Sequence, residues 1–303
     1  MHAKEMRNAL AATEASWELD DVIDDDVDVD EIGVEFGLGA LPEPLGAFTA
    51  RYPRIRPELT TPFLPYLPYL LRWKRKLRKT LPKAWDWRDV DGHNWIWPAR
   101  NQGGCGSCVA FATAAGVEAH RRIETSDHAL GIDLSEAALF FANNRQCNPG
   151  DPRYGWFNGA ALDYLMEEGA CFEENYPYQP LNQVARIPEG TERTLKITGY
   201  DSTTNTTQMK RWIAEEGPLV ASFGVYQDFF AFWSNGTGVY NHVTGPYRGG
   251  HAVLVVGYDD TRSSWIVKNS WGTTTGHPDG CFEIASGECG IDDRMYLVED
   301  VYD

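Results

Sequence analysis

The order of apolar patterns along the chain predicts an α+β protein with a helical lobe and a β-barrel-like lobe. Apolar residues at helical spacing dominate residues 108 to 216, whereas short apolar runs typical of buried strands dominate from residue 219 onward. Helices that come early and strands that come late form separate layers. A chain of 303 residues is long enough for two lobes and an appended segment. We therefore expect a groove between the lobes.

The helical lobe begins near Trp95 and contains three predicted helices. The first starts at Cys108, directly after the glycine-rich stretch 103–106. In the second, 134–144, Ser135 is the predicted N-cap and Glu136 lies in the first turn. The third runs from an Asn158 cap to Gly169, and a further amphipathic helix follows at 207–216. Strands are predicted at 219–225, 252–258, 265–268, 282–285 and 295–298.

Residues 1–80 differ in composition from residues 81–303, and we divide the chain there. Positions 1–19 can form a helix, with Met6, Leu10 and Trp17 as its contacts. The carboxylate-rich stretch 20–35 is either a solvated linker or part of a segment that lies across a cleft. The small residues 37–40 can pass close to a reactive group.

The end of this N-terminal region has two further features. Residues 42–68 are rich in proline and aromatic residues, which favour extended backbone that packs on the following domain. The basic run 72–79 is either a processing site or a basic face docked on an acidic domain.

Charge and hydropathy exclude several classes of protein. The net charge of −17 and the pI near 4.8 argue against a nucleic-acid binder or a protein that binds anionic membranes. No apolar run approaches the roughly 20 residues that span a bilayer. The N-terminus also lacks the apolar core of a signal peptide.

Reactive side chains occur in three stretches. Cys108 follows a glutamine and a glycine-rich turn, and the positive end of a helix dipole favours its thiolate form. A nucleophilic thiolate needs an imidazole as its partner. His251 stands at the head of a buried strand, and Asn269, at the end of the next strand, can orient that ring. The order cysteine, histidine, asparagine matches the papain and cathepsin pattern.

Five sequence blocks in this order resemble the papain (C1) family of cysteine peptidases. They are Trp85-Asp86-Trp87-Arg88, the loop from Gln102 to Cys108, Leu134-Ser135-Glu136, Gly250-His251-Ala252-Val253 and Asn269-Ser270-Trp271-Gly272. The resemblance extends from Leu81, which is similar to the start of a mature enzyme, to the C-terminus. It implies a papain-like two-lobe fold with the active-site cleft between the lobes. It also implies an N-terminal pro-segment that crosses the cleft in the direction opposite to substrate.

The resemblance implies a role for each site residue and no cofactor or metal. Cys108 would attack a peptide carbonyl, His251 would be its ion-pair partner and general acid, and Asn269 would orient His251. Gln102 and the Cys108 backbone N–H would form the oxyanion hole. The residues implied to contact substrate, or to shield the catalytic hydrogen bond from water, are Asn158, Gly159, Gly250, Trp271 and Arg294.

The chain departs from the family pattern at three places. Val109 replaces the tryptophan that usually follows the nucleophile, and Phe157 replaces a cysteine that would pair with Cys105. Arg294 falls where relatives close the pocket for the second substrate residue upstream of the cut. We expect it to admit acidic or polar side chains there; the alternative is a surface arginine beside Asp292 and Asp293.

Six cysteines less the nucleophile allow at most two intrachain disulfides. We predict Cys147 bonded to either Cys105 or Cys171, and Cys281 bonded to Cys289. Disulfides favour an exported enzyme, whereas the lack of a visible signal peptide points the other way. The sequence therefore does not decide the cellular compartment.

Other functions remain as alternatives. Cys105 and Cys108 form a C-x-x-C, but no second such motif completes a zinc site and the downstream blocks do not fit a thioredoxin-like protein. A papain-fold transpeptidase or ligase, or a catalytically silent binding protein, is a second alternative. The expected partners are protein or peptide substrates and a proteinaceous protease inhibitor, with the enzyme as a monomer.

Overall fold

The computed structural model describes residues 1–13, 15–20, 36–43, 80–191, 195–274 and 276–302. The acidic stretch 21–35, most of the proline-rich stretch and the basic run 72–79 lie outside the described residues, so the predictions made for them stay predictions.

The first lobe is built around one long helix. Helix α2, Cys108–Thr125, is buried along most of its length and ends at Ser126 in the left-handed conformation. Gly116 allows close packing on the sheet, since a Cβ there would lie 3.2 Å from the Val220 side chain and 3.4 Å from that of Leu254. This contact holds the start of α2, and Cys108 with it, at a fixed position against the strands.

Two shorter helices complete this lobe. The predicted helix 134–144 divides into α3, Glu136–Phe140, and a 3-10 turn, Phe141–Asn143. Ser135 caps α3 as predicted, because its hydroxyl accepts from the Ala138 N–H at 2.9 Å. Helix α4 is Asn158–Glu167, but the predicted Asn158 cap is wrong. The Asn158 amide instead donates to Ser222 Oγ at 2.8 Å, which ties α4 to the sheet.

The second lobe is a mainly antiparallel sheet of nine strands in the described residues. Eight strands follow the order β1-β5-β8-β7-β6-β4-β9-β3, β2 pairs with β6, and only β5 and β8 pair in parallel. The α+β class is confirmed, but within the described ranges the sheet does not close, and β1 and β3 are its edges. The strands are β1 Trp17–Leu19, β2 Ala84–Asp86, β3 Lys196–Thr203, β4 Leu219–Tyr226, β5 Gly236–Tyr240, β6 Tyr247–Asp259, β7 Ser264–Lys268, β8 Cys281–Ala285 and β9 Met295–Tyr302.

The helix predicted at 207–216 is α5, Thr206–Glu215, whereas α6, Gln227–Asn235, was not predicted. Seven residues of α6 are buried, including both of its polar residues at the start, so no amphipathic period identifies it.

The N-terminal residues dock on the far edge of the sheet. Helix α1, Ala3–Thr13, ends earlier than predicted, and β1 pairs antiparallel with β5. The three predicted contacts, Met6, Leu10 and Trp17, are all buried. We call residues 3–19 the anchor segment.

Cys105 and Cys147 form a disulfide, one of the two pairings expected for Cys147. The predicted Cys281–Cys289 disulfide is wrong. Strand β8 starts at Cys281 and rises about 3.3 Å per residue, which carries the chain roughly 13 Å away before it turns toward Cys289. No helix in the described ranges is long and apolar enough to cross a membrane.

Candidate active site

Cys108 is the first residue of α2, and its side chain is fully buried. The backbone N–H groups of Ala252 and Val109, and those of Gly39 and Ala40 in the N-terminal region, lie near enough to its sulfur to lower its pKa. Ala252 directly follows His251 on β6. The predicted nucleophile and base therefore lie on neighbouring elements, where α2 packs on the sheet.

His251 and Asn269 form a direct hydrogen bond. His251 Nε2 lies 2.7 Å from Asn269 Oδ1. An amide oxygen can only accept, so Nε2 carries the proton, and Nδ1 of the neutral ring is the basic nitrogen. Nδ1 is buried and has no hydrogen-bond partner among the described residues. Asn269 thus fixes the tautomer that leaves Nδ1 able to accept a proton.

Aromatic rings enclose this hydrogen bond. The Trp271 ring centroid lies 4.4 Å from that of His251, and Trp271 itself is buried. On Trp271, the ring of Phe36 stacks with a centroid distance of 4.6 Å. Phe230 and Phe229 pack around the same indole. The imidazole is consequently shielded from water while Phe36 is in place.

The covered site holds both reactive groups in their neutral forms. Burial raises the pKa of Cys108 to about 11, and burial lowers the pKa of His251 to about 4. The sequence predicts a thiolate, because a helix N-terminus favours negative charge. In the covered cleft desolvation outweighs that effect, and at neutral pH the pair is thiol and imidazole.

Gln102 lies beside the nucleophile with its amide fixed by two partners. Its Nε2 donates to the Gly37 carbonyl at 2.9 Å and to the Cys105 carbonyl at 2.7 Å. Its Oε1 accepts from Ser270 Oγ at 2.6 Å. Ser270 therefore orients the amide so that Nε2 points at a carbonyl oxygen held in the cleft.

Residues 36–43, which we call the cleft segment, fill the groove between the lobes. On the helical side the Trp156 N–H donates to the Gly39 carbonyl at 2.8 Å, and the Leu41 N–H donates to the Trp156 carbonyl at 2.9 Å. On the sheet side the Ala40 N–H donates to the Gly250 carbonyl at 3.0 Å. The segment is hydrogen-bonded to both walls.

Glycine is required where the cleft segment passes the nucleophile loop. A Cβ on Gly39 would lie 1.9 Å from the Gly106 carbonyl oxygen, and one on Gly37 would lie 2.0 Å from that of Cys105. On the opposing wall, Gly155 has φ +71°, and a Cβ there would lie 2.4 Å from the Gly39 carbonyl oxygen. Bare backbone on both sides permits this close approach.

A model of the papain family cysteine proteases matches residues 81–298. The chain belongs to the papain family of cysteine proteases. It is therefore a cysteine endopeptidase that acts on proteins or peptides.

Individual relatives agree with this assignment. The chain is 34% identical over 230 residues to "Cathepsin B-like CP3" of Giardia intestinalis, covering 71% of this chain and 73% of the relative. It is 32% identical over 223 residues to Zingipain-2 of Zingiber officinale, covering 70% and 93%.

Solved structures support the same fold. A procathepsin B, S9, of Trypanosoma congolense superposes with a TM-score of 0.73 at 22% identity, covering 99% of both chains. The Carica candamarcensis protease CMS1MS2, solved in complex with E-64, has a TM-score of 0.57 at 27% identity, covering 73% of this chain and 99% of that one.

Within this papain-family site, the predicted substrate residues lie in different surroundings. Gly250 contacts the cleft segment through its carbonyl. Asn158 and Gly159 begin α4, and the Gly159 N–H donates to a Glu43 carboxylate oxygen at 3.0 Å. The backbone pairing with the cleft segment is made by Trp156, two residues before Asn158. The helix has already begun at Asn158, so the extended backbone lies before it.

Arg294 directly precedes β9, with its side chain exposed and its guanidinium donating to Ser202 Oγ at 3.0 Å. Sequence reasoning missed Trp156, Glu43 and Tyr296, and it missed the role of Ser270 although that residue lies in the Asn269-Ser270-Trp271-Gly272 block. Trp156 acts through its backbone, which no motif marks. Glu43 and Tyr296 are brought to the cleft by chain segments far apart in sequence.

Proposed function

We propose that the chain is the zymogen of a papain-family endopeptidase, in which residues 1–80 are the pro-segment and residues 81–303 the catalytic domain. One observation carries this proposal: the cleft segment lies on Cys108, with its Gly39 and Ala40 N–H groups near enough to the sulfur to lower the pKa of the thiol. The nucleophile thus faces hydrogen-bond donors where a substrate would present its carbonyl carbon. The start of the family match at residue 81 supports the boundary.

The direction of the cleft segment supports inhibition without cleavage. Ala40 forms a parallel bridge with Trp156. The segment enters beside Trp271, where Phe36 stacks, and leaves beside α4, where Glu43 is bound. Substrates of this family run the opposite way, so the pro-segment presents its peptide bonds in reversed order.

When the pro-segment leaves, water re-enters the cleft and the desolvation of Cys108 and His251 ends. Cys108 then transfers its proton to Nδ1 of His251, and the thiolate attacks the peptide carbonyl. Asn269 keeps Nε2–H engaged, so the imidazolium stays oriented.

Gln102 Nε2 and the Cys108 N–H stabilise the oxyanion, where losing one donor typically costs about 3 kcal/mol. Collapse breaks the C–N bond, and Nδ1–H protonates the leaving amine. Water then hydrolyses the thioester and regenerates the thiol.

The classes of partner that we propose follow from the net charge of the chain and from its family. With a net charge of −17 we propose neither nucleic acid nor an anionic membrane as a partner. A proteinaceous inhibitor would occupy the groove now filled by the cleft segment, and the enzyme would act as a monomer.

Intact mass of the full chain tests the proposal. The wild type and Cys108→Ala are incubated in reducing buffer from mildly acidic to neutral pH, with and without an epoxide that alkylates papain-like thiolates. We expect trimming near residues 74–79 and one epoxide adduct in the wild type, and neither in Cys108→Ala.

Cys289→Ala removes a partly exposed thiol outside the site and is the matched control, which should behave as wild type. Adduct formation that persists in Cys108→Ala would overturn the assignment of the nucleophile. Joining of added peptide amines in place of hydrolysis would favour the transpeptidase alternative.

A further inference from the structure

The cleft segment ends with a carboxylate bound in a pocket beside the catalytic site. Glu43 Oε1 accepts from the Gly159 N–H at 3.0 Å, and the Asn158 N–H also faces the carboxylate. Both amides belong to the first turn of α4, Asn158–Glu167, where the helix dipole favours a negative charge. The two residues that the family pattern associates with substrate therefore bind a carboxylate here.

A buried hydroxyl forms the inner wall of this pocket. Tyr296, on β9, is 1% exposed. Its hydroxyl faces the buried Glu43 carboxylate, and no other described residue hydrogen-bonds to that hydroxyl or to Glu43 Oε2. The contact with Tyr296 lowers the pKa of Glu43, and the Glu43 charge helps burial to raise the pKa of Tyr296. The phenol is therefore placed to donate to an acidic side chain in this pocket.

Arg294 supplies the positive charge at the pocket mouth. Burial raises the pKa of Glu43, and the Arg294 guanidinium acts in the opposite direction. Among the described residues Arg294 forms no salt bridge with its neighbours Asp292 and Asp293, and Asp292 Oδ2 instead accepts from the Gly287 N–H at 3.0 Å and from Trp265 Nε1 at 3.3 Å. Its guanidinium acts on the Glu43 carboxylate across the pocket mouth.

We propose that this pocket, lined by Asn158, Gly159, Arg294 and Tyr296, selects an acidic side chain at the second substrate residue upstream of the cleaved bond. Glu43 is a built-in occupant of the same site. This inference rests on the peptidase function proposed above and names its substrate class: proteins and peptides with Glu or Asp at that position.

The occupant can be tested in the full chain by the rate at which the epoxide alkylates Cys108. Glu43→Gln keeps an oxygen that can accept from the Gly159 N–H, and burial disfavours the charge that it removes, so it should change the alkylation rate little. Glu43→Leu removes both oxygens and should speed alkylation about 10-fold, the factor for one hydrogen bond. Arg294→Ala should have a smaller effect of ~3-fold, because the guanidinium is exposed.

Combining Glu43→Leu with Arg294→Ala should add little beyond Glu43→Leu alone, since the two groups act on each other. Glu18→Gln and Arg186→Ala, at exposed positions away from the pocket, are the matched controls. A Glu43→Leu chain that alkylates more slowly than wild type would overturn the proposal, because an apolar pocket would then be preferred.

Selectivity is measured on chains that have processed themselves, or have been processed by an added protease. Three fluorogenic peptides differ only in Glu, Leu or Arg at the second residue upstream. We expect kcat/KM for the Glu peptide to exceed that for the Leu peptide by about 10-fold, and Arg294→Glu to shift the preference to Arg. A wild-type preference for Leu would overturn the inference while leaving the peptidase function intact.

Cleavage of none of the peptides, with no alkylation, would instead count against the proposed function. In that case equilibrium unfolding of wild type, Glu43→Leu, Arg294→Ala and the double variant decides about the pocket. A coupling free energy of zero between positions 43 and 294 would overturn the proposed pocket. A coupling that stabilises the folded chain would support a carboxylate site.

Discussion

The two described parts of the N-terminal region hold the catalytic domain in different ways. The anchor segment, residues 3–19, buries side chains such as Met6, Leu10 and Trp17 and adds strand β1 to the sheet edge. The cleft segment, residues 36–43, is held mainly by backbone hydrogen bonds to Gly103, Trp156 and Gly250, and by two end contacts at Phe36 and Glu43.

The anchor segment therefore supplies affinity for the catalytic domain, whereas the cleft segment covers the nucleophile. Apolar burial in the anchor segment supplies binding energy far from the nucleophile. The glycines of the cleft segment allow its backbone to reach the sulfur, and of its side chains Ala40 is buried while Phe36 and Leu38 are partly buried. Tethering by the anchor then keeps the cleft segment at high effective concentration over Cys108.

The largest effect is expected from Trp17→Ala. Trp17 is buried against Phe232 and Tyr240, and its indole N–H donates to the Asn241 carbonyl at 2.9 Å. We expect a loss of ~3–5 kcal/mol in anchor stability. Hydrogen exchange at the Val239 amide, which bonds the Ser16 carbonyl, measures it. Trp17→Phe should retain most of the protection; unchanged exchange in Trp17→Ala would mean that the anchor is held elsewhere.

Acidification should loosen the cleft segment but not the anchor. Burial lowers the pKa of His251 from 6.5 to about 4, so the covered state favours the neutral ring. In Cys108→Ala, where no thiol proton can move to the ring, this contribution is fully present above pH 6.5 and is lost as the pH falls through 4, a change of about 3 kcal/mol. Exchange at the Gly37 and Ala40 amides, relative to that at Val239, measures the loss.

Glu43 opposes this pH effect. Burial raises its pKa, so its protonation on acidification favours the covered state. Glu43→Gln should thus make the loosening steeper between neutral pH and pH 4. A ratio of exchange rates that does not change over this interval would contradict the role of His251.

Gly39→Ala should free the cleft segment while leaving the anchor docked. The new Cβ would lie 1.9 Å from the Gly106 carbonyl oxygen, and we expect a cost of ~1–3 kcal/mol at this close-packed site. Faster epoxide alkylation of Cys108 with unchanged Val239 exchange is the expected result. Gly131→Ala is the matched control, because a Cβ there meets nothing within 4 Å.

The smallest effect is expected from Phe36→Ala. It removes one ring from the stack on Trp271, worth ~1 kcal/mol beyond the buried area. Alkylation should accelerate by less than in Gly39→Ala, and Phe36→Leu should fall between wild type and Phe36→Ala. If Phe36→Ala exceeded Gly39→Ala, aromatic stacking rather than backbone contact would hold the segment.

Much of the fold was predictable because local patterns agree with tertiary structure. Helix α2 and strands β4, β7 and β8 lie within a few residues of their predicted bounds, since each has a clear apolar period or run and a glycine or polar boundary. Strand β3 was missed because its side chains are mostly polar and only partly buried. The Cys281–Cys289 pairing failed because proximity in sequence says nothing about an intervening extended strand.

The sequence by itself determined the family, and it predicted Cys108, His251, Asn269 and Gln102 as the catalytic residues, because each belongs to a contiguous motif with a chemical reason for its residue types. Only the tertiary structure decided the protonation of the covered pair, since that depends on desolvation by residues 36–43. It likewise decided that Glu43, Gly159, Arg294 and Tyr296 share one pocket. Long-range contacts and burial join these residues, and no local pattern encodes either.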